Sequence, residues 1–431
     1  MRAFFLLACT SAALAAAAAC ATSDDEPAAT PPSPPPTGSV PESDASGVDA
    51  GRDATPDVAF PTCSAAGWCT TPLPDVELAV RDIWPLPERA FAIVESPVLG
   101  VRVLEWSDAD QAWSYIDDNT QNQVGGQYAG MIWASGDDEV YYTVAPRYVF
   151  HGTRGVSGWT WSRHELEDNS HKGEVNHATH DHGVARNNAT QANQPVMGVW
   201  GTDAGHVYAW YANTIFHWTT DDGGAPAWIP EYVAADPDTS SEHLFFASAA
   251  GTSDDDVWFS GARQASFTDC PILVHKSTEG YRRIADSKVQ SSTCIERPGA
   301  VLIGGAKGWL VDLQSAGPTS VLGLKGGQDI ASVSLDGDAS AANVSALPKF
   351  TTIANSPSAF RSFWSSSDEW WLTAWGLVVR GPVEGDAGAF EVSTISLNGA
   401  PIDVPMHKVR GTSKTNLWAI GNGYAFHKTT P

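Results

Sequence analysis

The sequence predicts an all-β chain made of repeated four-stranded units, and three observations carry that prediction. The phrase "GVWGTDAGHVYAW" at 198–210 returns near the end as "KVRGTSKTNLWAI" at 408–420, and in blurred form several times between. From Pro61 onward, short apolar-aromatic runs are broken by Gly, Asp, Asn and Ser clusters, with no sustained helical period. All 18 tryptophans lie at or beyond Trp68, so the material for a core begins there. A single sheet of four short strands cannot bury both its faces. Packed radially, each sheet covers its neighbour, and the result is a β-propeller.

The chain opens differently. After Arg2, "AFFLLACTSAALAAAAAC" is apolar or small from Ala3 to Cys20, which reads as a secretory signal. It is too short and too rich in small residues for a membrane span. "AAAC" at 17–20 resembles the lipobox of bacterial lipoproteins, with Ala17 where that motif favours Leu. The resemblance implies cleavage after residue 19 and a lipid on Cys20. "LLAC" at 6–9 fits the motif better but leaves too short an apolar core ahead of it. Ordinary cleavage near Ala19, giving a freely secreted protein, is the alternative.

Residues 20–60 hold Pro, Ala, Ser, Asp and Gly with almost nothing to bury, and eight acids stand against Arg52 alone. "TPPSPPPTGS" favours extended polyproline conformation. The segment reads as a disordered tether, with a reach on the order of 100 Å if fully extended. The domain expected to fold is 61–431. The whole chain carries a formal charge of −25. That argues against nucleic acid, which needs clustered Lys and Arg, and against electrostatic attachment to anionic lipid. Membrane contact is expected only through the N-terminal anchor, and the protein is expected to be a monomer.

Within 61–431 the repeats align on a Trp position. Anchors fall at Trp84, Trp133, Trp200, Ala250, near Thr293, at Trp364 and at Arg410, with spacings of 49, 67, 50, 43, 71 and 46 residues. Those are blade-like periods with two insertions. They predict seven four-stranded blades, with six or eight as alternatives. Each copy continues with a polar turn, a strand such as "HVYAWY", a short turn and a strand such as "TIFHWT"; "YVFHG", "ILVHK" and "YAFHK" are its siblings. Asp, Ser and Thr in the first turn suit local hydrogen bonding, and Gly201, Gly251 and Gly411 are expected to supply positive φ. The last copy stops after its third strand. The segment around Trp68 matches the missing fourth, so it is expected to complete the last blade and leave no open edge. The run 313–350 is small-residue-rich and reads as a poor blade or a surface excursion.

"VWGTDAGHVYAWYANTIFHWT" resembles the Trp-rich "VWG…DVWAVG…ILHW" propeller repeats of bacterial envelope lipoproteins of myxobacterial type, and "GWCTTPLPDVELAVRDIW" at 67–84 resembles the segment that opens them. The resemblance covers most of 61–431. It implies a propeller displayed at the outer membrane or cell surface, and it brings no catalytic residues.

Six cysteines form three groups. Cys9 and Cys20 belong to the signal and anchor. In an oxidising compartment the local pairs Cys63–Cys69 and Cys270–Cys294 are the default disulfides. Their spacing does not suit a four-thiolate zinc site. "RHELEDNSHKGEVNHATHDHG" at 163–183 holds five of twelve histidines, among them His164. His171, His177, His180 and His182 could hold zinc or copper on a folded loop, with Asp181 or Glu174 adding a carboxylate. A solvated polar loop is the plain alternative. Calcium is a further candidate at the acidic turns 252–258, 219–224 and 334–340, although none matches a full EF-hand loop. "TTDDGGAPAW" at 219–228 faintly resembles an Asp-box with its Trp two residues late, but the arginine cluster of sialidases cannot be assembled from the sequence. No G-x-S-x-G, P-loop or dinucleotide fingerprint occurs.

The expected function is therefore non-enzymatic: a propeller scaffold that binds protein or glycan, with no cofactor required. A secreted glycosidase-like hydrolase is the first rival and needs convergent carboxylates on the channel face. A metal-binding protein working through the His-rich loop is the second. Recognition is expected where the refrain is interrupted, because the refrain itself is committed to packing.

Overall fold

The repeat forms seven antiparallel sheets of four strands, each sheet a blade. The computed structural model describes residues 63–124, 128–170, 183–190, 192–238, 242–265, 267–350, 359–383, 389–396 and 402–430, which fall in one unit, Ala59–Pro431. Blades 1 to 6 are meanders whose innermost strands are Ala79–Pro85, Ala129–Gly136, Met197–Asp203, Glu242–Ser253, Leu310–Gly317 and Ser362–Ser365. Their outermost strands are Ala112–Tyr115, Gly158–Glu165, Pro226–Val233, Gly280–Ala285, Ala339–Ala346 and Glu391–Val392. Among the described residues the only helical element is one 3-10 turn, Thr120–Val124.

Blade 7 closes the ring. It contains Met406–Ser413, Asn416–Gly421 and Tyr424–Lys428, and its fourth strand is Trp68–Thr70 from the start of the domain. Trp68 lies opposite Lys428 and Thr70 opposite Phe426, so the two ends of the domain are joined by strand pairing. Trp68 is fully buried, edge-on to Trp371, and its indole N–H donates to Ser393 Oγ at 2.9 Å. The Cys63–Cys69 disulfide is formed beside this strand.

Six of the seven anchors stand where the alignment placed them. Trp84, Trp133, Trp200, Ala250, Trp364 and Arg410 face Phe91, Tyr141, Tyr208, Trp258, Trp371 and Trp418 on the second strands. The fifth anchor does not lie near Thr293. It is Gln314, facing Leu322. Thr293 belongs to an added hairpin, Ser287–Gln290 with Thr293–Glu296, and the run at 313–350 is blade 5 itself. The error has a physical source. Blade 5 has no aromatic at either position of that pair, and its outermost strand, with one covered face, is mostly Ala and Ser.

A belt of hydrogen bonds ties the inner strands together. The side chain two residues before an anchor accepts from the backbone N–H one residue before the anchor of the next blade. Asp82 accepts from Ile132 at 3.0 Å, Ser248 from Leu313 at 2.9 Å, Asp312 from Phe363 at 3.0 Å and Ser362 from Val409 at 3.0 Å. These N–H groups face the channel, where no neighbouring strand can pair with them, so a short polar side chain satisfies each.

The refrain glycines act through space and not through dihedral angle. Gly201, Gly251 and Gly411 are not among the positive-φ residues. A β-carbon on Gly201 would meet Trp133 of the preceding blade at 2.9 Å, and one on Gly251 would meet Trp200 at 3.0 Å. Trp133 and Trp200 thus lie on the glycine of the next blade, each glycine also facing the backbone oxygen of its own hairpin, His206 O at 2.8 Å and Asp256 O. Arg410, where the aromatic is missing, lays its guanidinium over Trp84 at 4.9 Å and donates to Ile83 O at 3.0 Å.

The histidines of the sibling phrases form a second recurring contact. His151, His217 and His427 on the third strands stack on Tyr141, Tyr208 and Trp418, with centroids 4.1, 4.5 and 4.0 Å apart, and His275 lies tilted against Trp258 at 4.2 Å. Three of them also bond the first residue of the second strand: His151 to Glu139, His275 to Asp256 and His427 to Asn416, at 2.9, 2.9 and 3.0 Å. Burial lowers the pKa of His151, His275 and His427 alike, the last to about 4.

Candidate functional site

The belt leaves a channel with two mouths, and the refrain accounts for only one of them. Where the inner strands end, the anchors Trp84, Trp200, Ala250, Gln314, Trp364 and Arg410 line a cavity of about 310 Å³. Where the inner strands begin, a cavity of about 530 Å³ is lined by Arg81, Glu95, Arg186, Arg361, His407 and Lys408 among others. Between the two stands a bridge: Lys408 of blade 7 donates to Asp312 of blade 5, both buried. It joins blades that are not neighbours, so it crosses the channel.

The larger mouth is partly roofed by a hairpin, Val184–Asn187 with Ala192–Pro195, inserted between blades 2 and 3. Its turn reaches blades 4 and 5. Asn188 donates from its backbone and side-chain nitrogens to Asp269, both at 2.8 Å, and Gln264 donates to Arg186 O at 2.8 Å. Gly308 and Gly327 of blade 5, both at positive φ, admit the turn: β-carbons there would stand 2.8 Å from Ala189 and 3.0 Å from Thr190.

Under the roof, charge is mostly matched. Arg81 donates to Glu95 at 2.7 Å and Glu95 accepts from Ala129 N at 2.8 Å, joining blades 1 and 2. Arg81 also reaches His407 Nε2 at 3.0 Å, and Asn422 lies 2.7 Å from the same nitrogen. The Asn422 atom at that nitrogen is Oδ1, so the ring nitrogen stands between a guanidinium donor and an amide oxygen. Burial and the Arg81 charge hold His407 neutral, with its pKa lowered to about 4.

A second cationic group, which the sequence did not assemble, lies at the edge of blade 4. Arg263, no part of it exposed, pairs with Glu242 at 2.8 Å and Asp286 at 2.9 Å. Arg283 pairs with Asp236 and Asp286, and Arg297 with Asp236 and Asp238. The arginines were legible singly but lie on different strands and loops, so only folding brings them together. Every one is matched by carboxylates. With the Cys270–Cys294 disulfide, the network clamps the added hairpin at 287–296.

The remaining sequence candidates distribute as follows. Both expected disulfides are formed, so their sulfurs are unavailable for zinc. Cys20 and His171, His177, His180 and His182 lie outside the described residues. His164 is not in a loop; it is on the outer strand of blade 2, edge-on to Trp218 at 4.7 Å. Among the described residues no three His, Cys, Asp or Glu side chains gather as metal ligands. Two of the acidic turns have a carboxylate taken up by their own hydrogen bonds, and in the third, at 334–340, Asp338 is exposed with Arg282 3.7 Å away. Asp256 accepts from Thr252, Trp258 and His275, and Asp221 from the Gly223 and Ala225 amides. Among the described residues no helix is long and apolar enough to cross a membrane.

No protein-family model matches the sequence, and no curated protein does. Solved structures do. The chain is similar to YCF48 bound to D1 peptide, with a TM-score of 0.50, 12% identity and coverage of 88% of this chain and 100% of that one. It is similar to YCF48 from Cyanidioschyzon merolae at 0.48 and 12%, covering 85% and 99%, and to the WD40 β-propeller domain of Doa1 at 0.47 and 9%, covering 84% and 97%. The likeness is one of fold. The chain is a seven-bladed β-propeller.

Proposed function

We propose that this protein is an exported lipoprotein, held at the bacterial outer membrane or cell surface by a lipid on Cys20, and that its propeller is a non-enzymatic scaffold binding a protein partner at the larger mouth of the channel. The observation that carries the reading is the built cavity at that mouth. It is open and polar, set on a closed ring of blades, and walled by a hairpin that the repeat does not require. Rigid rings with variable loops at one face are a common basis for recognition. The solved YCF48 propeller of similar fold carries a D1 peptide, and a comparable use is proposed here.

The hydrolase reading finds less support. Of the channel carboxylates, Asp82 is engaged by Ile132 N and faces Arg410 at 3.5 Å, and Asp312 is taken by Lys408 and Phe363 N. A pair poised for acid–base work needs access and a free proton site.

The test is capture of the tagged full chain, crosslinked in intact bacterial cells, alongside hydrolysis assays on a glycan panel. A reproducible protein partner with no hydrolysis is expected; turnover of any glycan overturns the scaffold reading. Cys20→Ser is expected to move the protein from the membrane fraction to the soluble one. An unchanged distribution removes the anchor from the proposal.

A further inference from the structure

At the larger mouth Arg361 is a cation to which no carboxylate among the described residues is paired. Arg81 is matched by Glu95 and Lys408 by Asp312, and Arg186 on the hairpin is not free either, its backbone O accepting from Gln264. Arg361 differs. It stands just ahead of the inner strand of blade 6, and its backbone N–H donates to Thr373 O at 2.8 Å, which fixes its position. Its guanidinium is partly buried and stands 6.0 Å from the Trp375 ring. Among the described residues it donates to no carboxylate. Burial and the nearby Arg81 both lower its pKa, so the site disfavours the charge it holds. Among the described residues no oxygen accepts from its guanidinium, and a half-desolvated guanidinium is costly unless something does.

We propose that this cavity recognises a single carboxylate, with Arg361 as its bidentate partner, and that an acidic side chain or a chain end of the protein partner supplies it. The proposal rests on the scaffold reading above and names what that site reads. One unmatched guanidinium suits a monoanion, and the planar fork matches a carboxylate in two parallel hydrogen bonds. Lysine at this position would lack that geometry. The net charge of −25 repels acids at long range, but beyond about 10 Å it is screened, and the local site decides. Tyr128, 40% exposed and lining the cavity, and Trp375, 39% exposed and 6.0 Å from the Arg361 guanidinium, offer aromatic surface for the residues flanking the carboxylate.

The experiment titrates the full chain by calorimetry with three small probes. N-acetyl-glutamate α-amide carries a side-chain carboxylate, N-acetyl-glutamine a chain-end carboxylate, and N-acetyl-glutaminamide none. Saturable one-site binding by at least one acid, and none by the neutral probe, is expected; the acid that binds identifies the source. Arg361→Gln should weaken it about tenfold or more, roughly 1.4 kcal/mol. Arg380→Gln, which alters an exposed pair with Glu391 on the outside of blade 6, should leave it unchanged. Equal behaviour of acids and neutral probe, or equal affinity in Arg361→Gln, overturns the carboxylate site. Partner capture undiminished in Arg361→Gln overturns the assignment of the carboxylate to the partner while the scaffold reading stands. Acid binding without any captured partner removes the scaffold reading while the site stands.

Discussion

The indole of Trp133 in blade 2 lies against Gly201 in blade 3, with its Cη2 2.9 Å from where a β-carbon on that glycine would stand. Trp200 bears the same relation to Gly251 of blade 4, at 3.0 Å. At these two seams the tryptophan of one copy, together with a backbone oxygen of the glycine's own hairpin, leaves no room for a side chain on the next copy's glycine. Gly201→Ala and Gly251→Ala are expected to destabilise by about 1–3 kcal/mol through overpacking. Thermal unfolding checks this, and a double-mutant cycle of Trp133→Ala with Gly201→Ala should be strongly non-additive. Additive effects would mean that the two residues do not constrain each other.

The bridge across the channel gives a second prediction. Lys408 and Asp312 are both at least nine-tenths buried. Removing one partner leaves a buried charge unpaired, so Lys408→Met alone should cost about 3–5 kcal/mol. Replacing both, as Asp312→Asn with Lys408→Met, should recover much of that, because Asn tolerates the positive φ of this position and still accepts from Phe363 N. Denaturant midpoints of the two single variants and the double variant measure it.

Acid should loosen the ring before the carboxylates titrate. His407 and His427 have pKa values lowered from 6.5 to about 4, chiefly by burial. At pH 7 both are neutral whether folded or unfolded, and they contribute nothing. As pH falls below 6.5 the unfolded chain takes up protons that the folded chain refuses. Stability therefore falls between pH 6.5 and 4 and then levels for these groups, by on the order of 3 kcal/mol per histidine. His407→Gln should flatten that slope when unfolding is followed across the range.

Ring closure depends on a strand held by few residues. Trp68→Ala should cost about 3–5 kcal/mol, as expected for truncating a fully buried Trp. Replacing Cys63 and Cys69 by Ser should cost about 2 kcal/mol, the value for a short closed loop. Both changes expose the edge of Tyr424–Lys428, so size-exclusion chromatography should show association along with the lower melting temperature. A monomer of unchanged melting temperature would mean that the ring closes without this strand.

Much of this architecture was legible because repetition makes packing visible. A Trp–Gly pair at blade-like spacing, and a final copy one strand short, gave both the ring and its closure around Trp68. Blade 5 was misread because Gln314 and Leu322 carry no aromatic signal; the belt bond from Ser248 to Leu313 N, which identifies the anchor, appears only in three dimensions. The same holds for Arg263, Arg283 and Arg297.

The sequence by itself determined what recurs: strand period, the aromatic and glycine positions, the nearby cysteine pairs and the missing fourth strand. These are local patterns, and local sterics and burial are enough to interpret them. Only the tertiary structure decided which charges cancel. Arg81, Arg361, His407 and Lys408 come from blades 1, 6 and 7, and their roles differ because Glu95 and Asp312 reach two of them and no carboxylate among the described residues reaches Arg361. An electrostatic balance depends on distance through space, which position in the chain does not specify.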